Sequence, residues 1–346
     1  MVRQYMEAQE NEFIHEISNK WKCVDVTSDQ LGSTVIDFSD EWFAEASNLI
    51  KPTRPIRDAN KFTHSGAWYD GWETRRHNEE ECDWVIIKMG VASAKLVGAE
   101  VDTSFFNGNH APFISIEALY DNNTDTDETT IKCDDTRWCE IIGKVECGPS
   151  QRHFLIRKKG ITQDKFNYIK LNMYPDGGIA RFKMYGKVCP EIHSSNKIID
   201  LAYVAQGAVV TSYSDQHFGS ASNLIIPGRG HDMSDGWETK RSRTEGHTDW
   251  VIIELCKQSQ YIEKIIIDTA HYRGNFPQYI TVHGMNSNCK DDIDALSNDW
   301  DEIIAKSKTG PDQEHSYSID KKLEITHVKL TIIPDGGVKR IRIWGY

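Results

Sequence analysis

Two short phrases concentrate charged groups with chemical potential. "DGWETRR", from Asp70, supplies Glu73, Arg75 and Arg76, and "DGWETKR", from Asp235, supplies Glu238, Lys240 and Arg241. A guanidinium such as that of Arg76 or Arg241 binds a carboxylate through two parallel hydrogen bonds. A glutamate three residues earlier serves either as an acid–base group or as the arginine's partner. A second pair of segments, "SFFNGNHAP" from Ser104 and "AHYRGNFPQ" from Ala270, adds Asn109 and His110 to the first set and His271, Arg273 and Asn275 to the second. The histidine follows the asparagine in one segment and precedes it in the other, so the two sets are not chemically equal. On a strand, His271 and Arg273 share a face. Every one of these residues also has a structural reading: an Asp-Gly turn, a buried tryptophan and a Glu–Arg pair make a plausible corner of a sandwich. Asp70 and Asp235 are assigned to that turn, and the matched His153 and His315 to strand edges. No serine elbow, His-Glu-x-x-His helix or glycine-rich phosphate loop is present. One carboxylate beside two glycines in "PDGG" falls short of a calcium site. No metal ligand set stands out, and neither a metal nor another cofactor is expected.

The elements that must position these residues also occur twice. "ASNLI" recurs from Ala46 and Ala221, "DWVII" from Asp83 and Asp249, "VDTSFFNGN" returns as "IDTAHYRGN", and "PDGGIARFKMYG" from Pro175 as "PDGGVKRIRIWG" from Pro334. The order is constant and the spacing drifts only by small insertions, which identifies a tandem duplication. The expected organisation is an N-terminal arm or edge strand at 1–20, a first repeat at 21–187, a linker at 188–200 and a second repeat at 201–346. Each unit carries many short segments rich in β-branched and aromatic residues, punctuated by Gly, Pro, Asn and Asp. The expected fold is therefore all-β, two tandem β-sandwiches of jelly-roll or Greek-key type. Long polar loops are expected at 121–138 and 286–300. Trp84, Trp138, Trp250 and Trp300 are expected as core aromatics, and Arg181 and Arg340 as salt-bridged surface residues or a second source of positive field.

Composition narrows the classes of function. The chain has 346 residues and a formal charge of −12, which argues against nucleic acid as a partner. Neither a signal peptide nor a membrane span is apparent. Eight cysteines show no Cys-x-x-Cys pair and do not match between the copies, so reduced thiols in the cytoplasm are expected.

The run of "DGWETRR", "DWVIIK", "DTSFFNGN" and "PDGGIARFKMYG", repeated over roughly residues 30–346, resembles the allantoicase family, and the length resembles its fungal members. The resemblance implies hydrolysis of allantoate to ureidoglycolate and urea in purine breakdown, two jelly-roll domains related to galactose-binding-like sandwiches, and a homo-oligomer. Allantoate is a carboxylate whose central carbon bears two urea groups. Its cleavage needs a cation for the carboxylate, an acid for the departing nitrogen and a base or positioned water. On that reading Glu73, Glu238, His110 and His271 are the candidate catalytic groups. Arg75, Arg76, Asn109, Lys240, Arg241, Arg273 and Asn275 are the candidate substrate-binding groups, with the second repeat the more sensitive. The alternative is a carbohydrate- or small-ligand-binding protein built from the same sandwiches, since fold alone does not choose between binding and catalysis.

Overall fold

The computed structural model describes residues 1–122, 131–190, 196–287 and 293–346. Parts of the loops expected at 121–138 and 286–300, and of the linker at 188–200, therefore lie outside the described residues. The chain divides into two compact units, Met1–Cys189 and Pro190–Tyr346.

In the first unit one antiparallel sheet runs, in spatial order, Cys139–Glu146, Phe113–Leu119, Tyr168–Tyr174, Asp83–Lys88 and Thr34–Phe38. The other runs Val2–Tyr5, Arg152–Arg157, Ala94–Asp102, Arg181–Val188 and Val24–Asp25. The second unit repeats the pattern. Its five-stranded sheet is Asp301–Lys308, Tyr279–Met285, His327–Ile333, Asp249–Glu254 and Val209–Tyr213. Its four-stranded sheet is Glu314–Lys321, Ile262–Asp268, Arg340–Gly345 and Ile199–Asp200. Strand for strand the orders coincide, apart from the extra Val2–Tyr5 strand. Both units are jelly-roll β-sandwiches, as the duplicated pattern predicts.

The strands form because their apolar residues have two places to go. In Asp83–Lys88 alternation sends Val85 and Ile87 to one face and Ile86 to the other, and all three are fully buried. Ile86 packs with Leu119, Ile131 and Tyr168 beneath Trp84 and Trp138. In the second unit Ile252 packs with Met285, Ala295 and Trp300 beneath Trp250. The described ends of the matching loops thus pack on one outer face of each sandwich. Trp138 donates to the Lys132 carbonyl at 2.8 Å and Trp300 to the Asp294 carbonyl at 3.0 Å. These tryptophans close satellite clusters, and the fully buried indoles are instead Trp72 and Trp237 of the repeated phrase.

At the N-terminus, Val2–Tyr5 extends the sheet beside Arg152–Arg157. The short helix Glu10–His15 then drops Phe13 into the core, its ring 5.0 Å from Phe154 and 5.4 Å from Tyr185.

Candidate active site

The two repeated phrases of each unit close on one another as a lock. Asp70 and Asp235 accept from the guanidinium groups of Arg181 and Arg340 at 2.7 and 3.0 Å. The same arginines donate to the carbonyls of those aspartates at 2.9 and 2.6 Å. Both arginines are almost fully buried, so the reading as surface residues is replaced by that of internal braces. Trp72 donates its indole hydrogen to the Asp40 carbonyl, and Trp237 to that of Asp215, each at 2.8 Å. Thr74 and Thr239 bond back to Gly177 and Gly336 of the "PDGG" turns at 2.9 and 3.1 Å. A Cβ at Gly178 would fall 2.2 Å from the Phe106 ring, and one at Gly337 2.0 Å from that of Tyr272, so close approach of an aromatic demands glycine there. His153 and His315 likewise lie 3.3 and 3.4 Å from the Gly148 and Gly310 carbonyls. All these features match between the copies, and all concern folding.

Against that common frame the second repeat presents a cavity of about 690 Å³. Glu238, Lys240, Arg241, His271, Arg273 and Asn275 all line it. Asn275 donates its amide to one oxygen of Glu238 at 2.5 Å. Arg241 is exposed and forms no ion pair among the described residues. The Lys240 backbone is pinned by the Asp215 carboxylate at 2.7 Å. Arg273 leans on Asp312 at 3.2 Å while its side chain stays 80% exposed. His271 is held at φ 69°, its amide donating to Asp312 at 2.8 Å. Its Nε2 lies 3.3 Å from the Gly230 carbonyl. A carbonyl only accepts, so the neutral ring carries its hydrogen on Nε2 and leaves Nδ1 as a base. Lys240, Arg241 and Arg273 line the cavity with one carboxylate, Glu238, and this excess of positive charge suits an anion.

The first repeat holds the matching groups differently. Asn109 donates to Glu73 at 2.6 Å. Burial pushes the Glu73 carboxyl above its ordinary value, against the pull of the Asn109 amide and the charge of Arg76. Arg76 is occupied: it pairs with Asp176 at 2.7 Å and donates to the Gly108 carbonyl at 3.1 Å. Arg75 pairs with Asp40 at 3.1 Å. His110 bonds the Asn107 carbonyl at 3.2 Å, and its counterpart in the second repeat is Phe276. Phe105, at φ 72°, stands where the second repeat has His271, Asn107 where it has Arg273, and Trp42 where it has His217. A first-repeat cavity of about 790 Å³ is lined by Arg75, Arg76 and the acidic turn around Glu80, without Glu73, Asn109 or His110. The expected residues of the second repeat thus line one cavity, whereas in the first Glu73 and Asn109 bond to each other while Arg75 and Arg76 line a cavity that neither Glu73 nor Asn109 enters.

Residues 24–189 and 199–346 each match the family model of the allantoicase repeat. The chain belongs to the allantoicase family. It is 63% identical to an allantoicase of Saccharomyces cerevisiae over 340 residues, 98% of both chains. It is 51% identical to an allantoicase of Neurospora crassa over 93% of this chain and 90% of that one. It superposes on the crystal structure of the Saccharomyces cerevisiae allantoicase with a TM-score of 0.90, 60% identity and complete coverage of both chains. The two allantoicase repeats thus coincide with the two sandwiches and with the lock that closes each.

Two lining residues escape a reading of matched motifs: His217 and Met233. His217 and Met233 replace Trp42 and Trp68 of the first repeat, so a search for what the copies share passes over them. Subtracting one copy from the other would have found them.

Proposed function

We propose that the chain hydrolyses allantoate to ureidoglycolate and urea, and that the second-repeat cavity is where it does so. The observation that carries this reading is the convergence of Arg241, Lys240, Glu238, Asn275, His271 and Arg273 on one cavity, with the Arg241 guanidinium unpaired among the described residues. That guanidinium clamps the substrate carboxylate, and Lys240 adds charge beside it. Asn275 and the free oxygen of Glu238 meet the hydrogen-bonding edges of the planar urea groups. His271 Nδ1 takes a proton from the attacking water. As the water oxygen bonds to the central carbon, the carbon–nitrogen pair moves onto the departing nitrogen, which gains a proton and leaves as urea. The first repeat, with Arg76 spent on Asp176, braces the fold instead of catalysing. The carbohydrate-binding alternative is not favoured, because the relatives that match nearly full length are named allantoicases.

We place the enzyme in the cytoplasm as a homo-oligomer. All seven described cysteines are free, and no helix among the described residues is long and apolar enough to cross a membrane.

The test is to incubate the purified chain with allantoate and measure urea and ureidoglycolate. One equivalent of each is expected, with allantoin untouched because its ring lacks the free carboxylate. Ammonia as the first product, or cleavage of allantoin, refutes the reading.

A further inference from the structure

The second-repeat cavity contains a second imidazole, His217, which shares its wall with His271. We propose that His217 is the acid that delivers the proton to the departing urea nitrogen. The inference rests on the assignment of hydrolysis to this cavity.

Three observations support it. The first is placement. The Asp215 carboxylate accepts from the backbone amides of both His217, at 3.1 Å, and Lys240, at 2.7 Å. The next two amides, of Phe218 and Gly219, donate to the Glu238 carbonyl at 3.1 and 3.2 Å, and the Glu238 amide answers Gly219 at 3.3 Å. His217 therefore enters the cavity on the same backbone ladder as Glu238. The second is availability. The ring stands edge-on to Phe218, with centroids 4.5 Å apart and planes at 85°, and neither ring nitrogen bonds to a described residue. The third is contrast. The first repeat keeps the same framework: Asp40 holds the Arg75 amide at 2.7 Å, and Phe43 and Ala44 donate to the Glu73 carbonyl at 3.1 and 3.3 Å. It places Trp42 on that framework, and an indole has no proton to give at neutral pH.

The reaction requires a proton given and a proton taken within one turnover. His271, with Nε2 held on the Gly230 carbonyl, is set as the acceptor. His217, bonded at neither ring nitrogen among the described residues, is the donor. The carbon–nitrogen bond breaks with its pair passing to nitrogen, which takes the His217 proton and leaves as neutral urea. The water oxygen bonds to carbon, and its proton goes to His271 Nδ1. The two rings restore their states through solvent, so the step consumes only water and allantoate.

The experiment compares His217→Ala and His217→Gln with the parent over a pH series in the full-length chain, alongside Arg241→Lys. The side chain is exposed, so the melting temperature is expected to hold. For both His217 variants kcat should fall by about a hundredfold or more, with KM little changed. The fall of kcat at alkaline pH, where the acid loses its proton, should disappear, and added imidazole should restore part of the activity of His217→Ala. An unchanged kcat, or a lowered kcat that keeps its alkaline limb and ignores imidazole, overturns the assignment of His217. If Arg241→Lys also leaves kcat/KM unchanged, the cavity itself is the wrong site. If only Arg241→Lys is impaired, the cavity stands and the proton comes from elsewhere.

Discussion

Replacing Arg241 by lysine keeps the positive charge and removes the fork. The structure gives this residue no intramolecular duty: it is exposed, it lines the cavity, and no described carboxylate pairs with it. Its loss should therefore be felt by the substrate and hardly by the fold. A paired, charge-assisted contact to a carboxylate is worth about 1.5–3 kcal/mol, which lowers kcat/KM by about ten- to a hundredfold. Arg76→Lys is the internal control, because Arg76 spends its guanidinium on Asp176 at 2.7 Å and on the Gly108 carbonyl at 3.1 Å. That side chain is about one-third exposed, so solvent screening limits the ion pair to about 1 kcal/mol or less. In a unit of this size such a loss lowers the melting temperature by at most about 2–4 °C. Steady-state kinetics on allantoate and thermal melts of both variants decide the matter. The expected result is a kinetic defect without a melting shift for Arg241→Lys, and the reverse for Arg76→Lys. An unchanged kcat/KM in Arg241→Lys, or an equal kinetic defect in Arg76→Lys, refutes the assignment of catalysis to the second repeat.

Two further outcomes test the framework. Gly337→Ala drives a methyl group against the Tyr272 ring, so the second unit should lose about 1–3 kcal/mol; an unaltered denaturation curve would mean the lock is looser than it looks. Burial pushes the Asp25 carboxyl up to about 6 despite hydrogen bonds from the Thr27 amide at 2.9 Å and hydroxyl at 2.8 Å. Between about pH 4, the ordinary carboxylate value, and pH 6 the folded chain therefore holds more protons than the unfolded one, and stability falls as pH rises. Asp25→Asn should remove that part of the slope, read from denaturant unfolding of both proteins across the window; parallel slopes refute it.

Why the fold was legible and the site only in part follows from what duplication preserves. Segments such as "DWVII" and "RIRIWG" must satisfy the same two faces in each sandwich, so the copies agree wherever packing decides, and the agreement marks strands. The repeated "DGWET" and "PDGG" phrases belong to that class as well. Their glycines sit against Phe106 and Tyr272, their aspartates hold Arg181 and Arg340, and their tryptophans are the most deeply buried indoles. A shared phrase is thus evidence first of a shared fold. Chemistry lies in the differences carried on it. His271 for Phe105, Arg273 for Asn107 and His217 for Trp42 give one corner of the second jelly roll a guanidinium and two imidazoles at positions where the first has none. Arg241 is a subtler case, because its partner Arg76 is the same residue at the same place. Only the structure shows that Asp176 reaches Arg76, whereas Asp335, in the matching turn, accepts the Ser242 backbone amide and leaves Arg241 to the cavity. Identity of sequence at that position hides a difference in ion pairing that the loops around it decide.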